Sequence, residues 1–200
     1  MPSRNLCLAL VVVSLLLAGS GCGKFGRVSQ GRVIEFDRSK GLITIIQDSN
    51  YSGSGQPRFD ILPPLTVRLP RNPAEMGPQP EAGKLMEVDA GGRRAVVFDA
   101  RAGAFSSVAV TLLERRDNVA PDDRRVAGLE FPVIDRERRT VTVYSAARRQ
   151  LLRLSVGDEH LVLPPESWKM GDDVRYYYKD SGQALRLMNL TRTDLGKGGR

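Results

Sequence analysis

The sequence predicts an all-β protein, a tandem duplication of two small β-barrels following an N-terminal signal peptide. Three observations lead there. Short runs alternate apolar and polar residues and are broken by Gly, Pro or charged turns, the pattern of strands in small barrels rather than of helices. The order of features in residues 31–113 returns in 129–192, the mark of an internal repeat. The first 22 residues form a charged start, an apolar run and a stretch of small residues closing on a cysteine.

That first element reads MPSRNLCLALVVVSLLLAGSGC. Arg4 precedes an apolar run from Leu6 to Ala18, which falls short of the about 20 residues a transmembrane helix needs. It suits the apolar core of a secretory signal over residues 1–21. Gly19, Ser20 and Gly21 then lead to Cys22. This arrangement resembles a bacterial lipobox, with Gly19 standing where that pattern usually carries Leu. The resemblance implies cleavage before Cys22, a diacylglycerol on its thiol and an amide-linked palmitate-type chain, with residues 22–30 as a lipidated tether. An ordinary cleaved signal or an uncleaved anchor helix are the alternatives. Cys7 would leave with the signal, and Cys22 alone allows neither an internal disulfide nor a cysteine metal site. Gly23 rather than Asp follows Cys22, so the expected address is lipid-anchored to the outer membrane, facing the periplasm.

The first module, 31–113, opens with GRVIEFDRSKGLITII, two alternating runs around a charged turn. Its counterpart is FPVIDRERRTVTVY at 131–144. Residues 50–58 read as a loop. The proline-rich stretch 63–83, with Pro63, Pro64, Pro70, Pro73, Pro78 and Pro80, reads as an extended connector. A strand, a Gly-containing turn and a last strand close each module, at RRAVVFDARAGAFSSVAVTLL and at VRYYYKDSGQALRLMNLT. Residues 114–128 carry Pro121 and many charges and read as a linker. In the second module, 129–192, His160 sits where Thr66 stands in the first, in an expected strand ending LVLPP. Pro165 starts one expected helical turn. Residues 193–200, with GKGGR at the end, form an expected disordered tail. Val33, Phe36, Ile43 and Ile45 are the expected core of the first barrel.

Residues 31–45 resemble the opening of the cold-shock domain family, a five-stranded OB-type barrel, through Gly31, Val33, Phe36, Lys40, Gly41 and Ile43. The resemblance implies OB-like barrels, with SH3-like barrels as the alternative topology. It does not carry the family's function. Such domains grip bases by stacking them on aromatic rings; here the ring positions hold Leu42 and Thr44, and Thr140 and Thr142 in the second copy, leaving Phe59 alone. No nucleic acid is expected as partner. The layout as a whole also resembles small lipoproteins of sulfate-reducing bacteria, a family of unknown function.

The net charge of +7 comes from 30 basic residues scattered among 23 acidic ones, which describes a mixed solvated surface. One histidine and no cysteine partner exclude a usual zinc site, and a triad would need a Ser and a carboxylate at His160. Asp122-Asp123 and Asp172-Asp173 lack the alternation of a calcium loop. Nucleotide and hydrolase motifs are absent. No cofactor and no metal are expected. Asp37 and Asp135 recur at one place and could suggest acid–base work, but Asp at a hairpin turn ordinarily accepts backbone N–H bonds. The aromatic concentration is Trp168, Tyr176, Tyr177 and Tyr178. Strand alternation separates Tyr177 from its neighbours, so these four are the candidate binding patch for a glycan or an envelope protein. The expectation is therefore a non-catalytic binding or structural module of the cell envelope, attached to the membrane by its lipid. An enzyme acting on cell-wall carbohydrate through carboxylates such as Asp37 or Asp135 is the alternative.

Overall fold

A computed structural model describes residues 25–52, 55–89 and 91–193. The expected signal peptide, Cys22 and nearly all of the expected tail lie outside these residues. Eleven strands are described: β1 (Arg27–Asp37), β2 (Leu42–Asp48), β3 (Phe59–Arg68), β4 (Leu85–Val88), β5 (Arg94–Asp99), β6 (Ala104–Arg116), β7 (Val133–Asp135), β8 (Thr140–Ser145), β9 (Gln150–Val156), β10 (Asp173–Tyr178) and β11 (Ala184–Asn189). A single short helix, α1 (Asp158–Leu161), and two 3-10 turns, Pro73–Glu75 and Pro165–Ser167, complete the described elements. The chain is all-β, as its alternating runs predict. Among the described residues no helix is long and apolar enough to cross a membrane.

The strands form two antiparallel sheets, ordered β11-β10-β1-β2-β3 and β4-β5-β6-β9-β8-β7. Neither closes into the barrel expected for each module. In the first sheet only isolated bridges, Arg68 to Gln183 and Met76 to Leu187, join the two edges. Pro63 and Pro64 lie in β3 itself, at the edge where a missing N–H breaks no ladder. Only the later part of the expected 63–83 connector is therefore a connector.

Strand pairing also crosses the division drawn at residues 114–128. The first sheet joins β1–β3 of the N-terminal half to the C-terminal hairpin β10–β11, while the second joins β4–β6 to β7–β9. Each half thus gives its closing hairpin to the other half's sheet. The expected linker begins inside β6, and its Val119 is fully buried. His160 lies in α1 rather than in a strand, half-buried with Nε2 3.6 Å from Glu159. The match between 159–164 and 65–70 therefore does not extend to conformation. Pro165 does open a 3-10 turn, as expected.

β1 explains how the sheets are joined. It is buried without interruption from Ser29 to Ile34, because both of its faces are covered. On one face Val33 packs with Ile43, Ile45, Val67, Val174, Tyr176, Ala184 and Leu187, the core of the first sheet. Phe36 is half-buried against that core. On the other face Ile34 meets Ile46, Met86 and Phe98, with Phe59, Val96 and Phe105 around them. That cluster draws from both sheets and fastens them together. A separate core of thirteen buried residues, from Leu85 and Val97 through Leu154 to Trp168 and Met170, fills the second sheet.

The chain passes between the sheets twice, at residues 79–85 and 168–173, and the two passages run side by side. Asp172 N donates to Glu81 O (2.9 Å) and Leu85 N to Lys169 O (2.9 Å). β1 lies against both: Val33 N donates to Asp172 O (2.9 Å) and Gly83 N to Val33 O (3.1 Å). Glycine is required here by space. A Cβ on Gly171 would run into the Val33 carbonyl, and one on Gly83 into the Lys169 carbonyl. Gly41, in the β1–β2 turn, has a different reason, a φ of +62° with open space around it.

Candidate binding cleft between the sheets

The outer face of β1 carries a polar sequence into the interior. Across the sheet, residues facing one another lie in rows on the same side. Arg32 sits between Ile46 and Asp173, and Gln30 faces Arg175. Arg32 is almost wholly buried. Its Nε and Nη2 donate to the two carboxylate oxygens of Asp173 at 2.7 and 3.2 Å, and its Nη1 donates to Met86 O at 2.6 Å. The guanidinium also lies 4.3 Å from the centre of the Phe59 ring. Each nitrogen of this buried cation thus has an acceptor, which is the condition for burying a charge at all. Next to it, Gln30 Nε2 donates to Asp48 (3.0 Å), and Arg175 donates to Gln30 Oε1 (2.8 Å). Asp48 Oδ1 in turn accepts the backbone N–H of Asn50 and of Arg58, both at 2.8 Å, and so ties both ends of the 50–58 loop.

A second network holds the crossing. Asp172 Oδ2 accepts from Glu81 N (2.9 Å), Asn189 Nδ2 (2.8 Å) and Arg192 Nε (2.8 Å). Glu81 receives Lys169 Nζ at 2.7 Å and Arg192 at 2.6 Å. Burial would raise the Glu81 carboxyl, but the bonds from Lys169 and Arg192 outweigh it and hold its pKa below the usual value. Burial likewise would lower the Arg192 pKa, and Asp172 and Glu81 reverse that. Three cations and three carboxylates, counting Arg32 and Asp173, are therefore matched around the passage between the sheets.

Beside this network opens a cavity of about 1140 Å³, at the upper end of ordinary ligand pockets, which run to about 1,000 Å³. Its walls come from β1, from the two passages, from residues 121–131, from the β8–β9 turn and from residues 190–193. Phe131 and Tyr144 stand together on one wall, ring centres 5.7 Å apart, and the Tyr144 hydroxyl donates to Val119 O (2.9 Å). Trp168 borders the same cavity, and its buried Nε1–H has no acceptor among the described residues. A buried donor left without a partner costs about 1–3 kcal/mol, so this one invites an explanation.

The four residues of the sequence-derived patch do not come together on the surface. Trp168 is fully buried in the core of the second sheet, and Tyr176 is buried in that of the first. Tyr178 packs on Tyr176 at 5.4 Å between ring centres. Tyr177, on the opposite face, is half-exposed. Asp37 and Asp135 behave as turn residues. Asp37 Oδ1 accepts from Lys40 N and Ser39 Oγ, and Asp135 Oδ1 from Arg138 N. The Ser39 hydroxyl and the Lys40 side chain and N–H hold the Asp37 pKa down to about 2, far from what a general acid needs. Thr44 faces Thr66, and Phe59 lies beneath Arg32. Among the described residues no group of three His, Cys, Asp or Glu is placed to hold a metal ion.

Residues 24–198 match the profile of one domain family, DUF4881, a domain of unknown function. The chain belongs to the DUF4881 family. No curated protein and no solved structure shows significant similarity to it. What the structure of this DUF4881 chain adds to the sequence reading is the crossing itself. Arg32, Glu81, Lys169 and Arg192 were missed because each looks like a surface charge in sequence, and Asp172-Asp173 were weighed only as a calcium loop. The one available signal was SQGR, a polar run set inside an otherwise strand-like segment.

Proposed function

We propose that this chain is a membrane-anchored lipoprotein, tethered through Cys22 to the outer membrane and facing the periplasm, whose β body is a non-catalytic binding module of the cell envelope. The cleft is the observation that carries the binding reading. It combines a large volume with an aromatic pair on its wall. Its carboxylates Glu81 and Asp172 are each engaged by cations, which favours holding a polar ligand over reacting with one. The apolar run ending at Cys22 supports the anchor. The returning order of features, with closing hairpins exchanged between the sheets, supports an origin by duplication.

Two measurements test this. Replacing Cys22 by Ser should move the chain from the membrane to the soluble fraction or block its processing; mature, membrane-bound C22S protein would refute the anchor. The acylated protein in detergent should retain soluble muropeptides unchanged, and Tyr144→Ala should weaken that retention about tenfold if the aromatic wall contributes near 1.4 kcal/mol. Turnover of the muropeptides would instead establish the envelope-enzyme alternative.

A further inference from the structure

We propose that the N-terminal end of the first sheet's outer face lies against the phospholipid surface, so that the body is held flat on the bilayer rather than swinging from its tether. This deepens the lipid-anchor reading and rests on it. The face is defined by two rows. Val28, Tyr177 and Arg186 face one another across β1, β10 and β11, and Arg175 and Met188 stand in the next row beside Gln30. Deeper along β1 the same face disappears into the interior at Arg32 and Ile34. At this end it is open: Val28 and Met188 are each 43% exposed, and Phe25, which leads into it, is 93% exposed. Gly26 lies directly on the Tyr177 ring, leaving no room for a side chain, so the entering chain runs over this face. Arg175 and Arg186 are exposed on this face and Lys179 just past its end, whereas Arg27 is exposed in the row of Tyr178, which faces the other way. Glu75 pairs with Arg186, and Asp180 follows Lys179.

The occupant follows from chain length and charge. Five residue steps separate Cys22 from Arg27, and at full extension they span at most about 18 Å. An acylated Cys22 would therefore keep the start of β1 within reach of the headgroups. A cationic rim with exposed Phe, Tyr and Met suits an anionic phospholipid interface, where aromatic rings settle and basic side chains meet phosphates. Nothing in that match depends on a specific headgroup.

The full acylated chain, carrying Phe25→Trp or Met188→Trp, can be reconstituted into phosphatidylethanolamine–phosphatidylglycerol vesicles with brominated acyl chains. The native Trp168 is fully buried and supplies a constant background. Interfacial groups sit about 5–10 Å into the headgroup–acyl boundary, so F25W emission should fall by roughly half against unbrominated vesicles, and M188W by less. Val162→Trp, 74% exposed beside α1, should be unchanged. Mass spectrometry of the same samples separates the failures. Acylated Cys22 with M188W unquenched, whatever F25W shows so close to the anchor, or with V162W quenched as strongly, overturns the proposed face while the anchor stands. Absence of acyl chains overturns both.

Discussion

Replacing Arg32 by Met would leave Asp173 facing the interior without its cation. The side chains are close in length, so the change removes charge and hydrogen bonds with little change in volume. Three donated bonds disappear, two to Asp173 and one to Met86 O, together with the stacking on Phe59. Breaking a buried pair by removing one partner costs about 3–5 kcal/mol. Asp173 keeps a little solvent contact, with 13% of its side chain exposed, so the lower end, about 3 kcal/mol, is expected. For a chain of this size that corresponds to roughly 6–12 °C in Tm. Urea unfolding of wild type, R32M, Asp173→Asn and the double variant should show a coupling of about 2 kcal/mol, with the double variant more stable than R32M. An R32M loss below about 1 kcal/mol, or additive single changes, would refute the claim that Arg32 and Asp173 form a mutually dependent buried pair.

The crossing makes Gly171→Ala far more damaging than Gly41→Ala. The first drives a methyl into the Val33 carbonyl and should cost about 3 kcal/mol or prevent folding, while the second adds only left-handed strain of about 1–2 kcal/mol, as urea midpoints would show. The Glu81 carboxyl has a depressed pKa in the folded state, so its contribution is present above the ordinary value of 4.5 and is lost as pH falls through the lower folded value. Urea midpoints of wild type should therefore drop below pH 4.5 more steeply than those of Glu81→Gln, and parallel curves would contradict the network. Fragments 25–116 and 117–193 should each fail to melt cooperatively, and should regain a cooperative melt when mixed. A sharp transition in either fragment alone would argue that the exchanged hairpins are dispensable.

Much of the fold was legible because strand alternation is local. Val33, Ile43 and Ile45 could be placed in a core from their spacing, and Asp37 and Asp135 in turns from their neighbours. What could not be read was which hairpin completes which sheet. VRYYYKDSGQALRL and RRAVVFDARAGAF carry the same pattern, and either would satisfy the open edge beside β1 or β9. The choice is made by contacts remote in sequence: glycines 83 and 171, where backbones touch, and Arg32 with Asp173. For the same reason the cleft was invisible. Trp168 reads as an exposed ring beside three tyrosines, yet the passage at 168–173 carries it into the other sheet's core. Arg32 illustrates the general difficulty, since a lone Arg in a strand reads as solvent-facing until a partner 141 positions away is known.

The pairing of β1 with β10 has a temporal consequence. The first of the described strands to leave the ribosome waits for the tenth of eleven before its ladder is finished. A long wait of this kind raises contact order and slows folding, and it leaves an unfilled seam on the nascent chain throughout synthesis. A chain built so cannot mature piecemeal, and stopping it anywhere short of the C-terminal hairpin yields an open sheet with nothing to zip against.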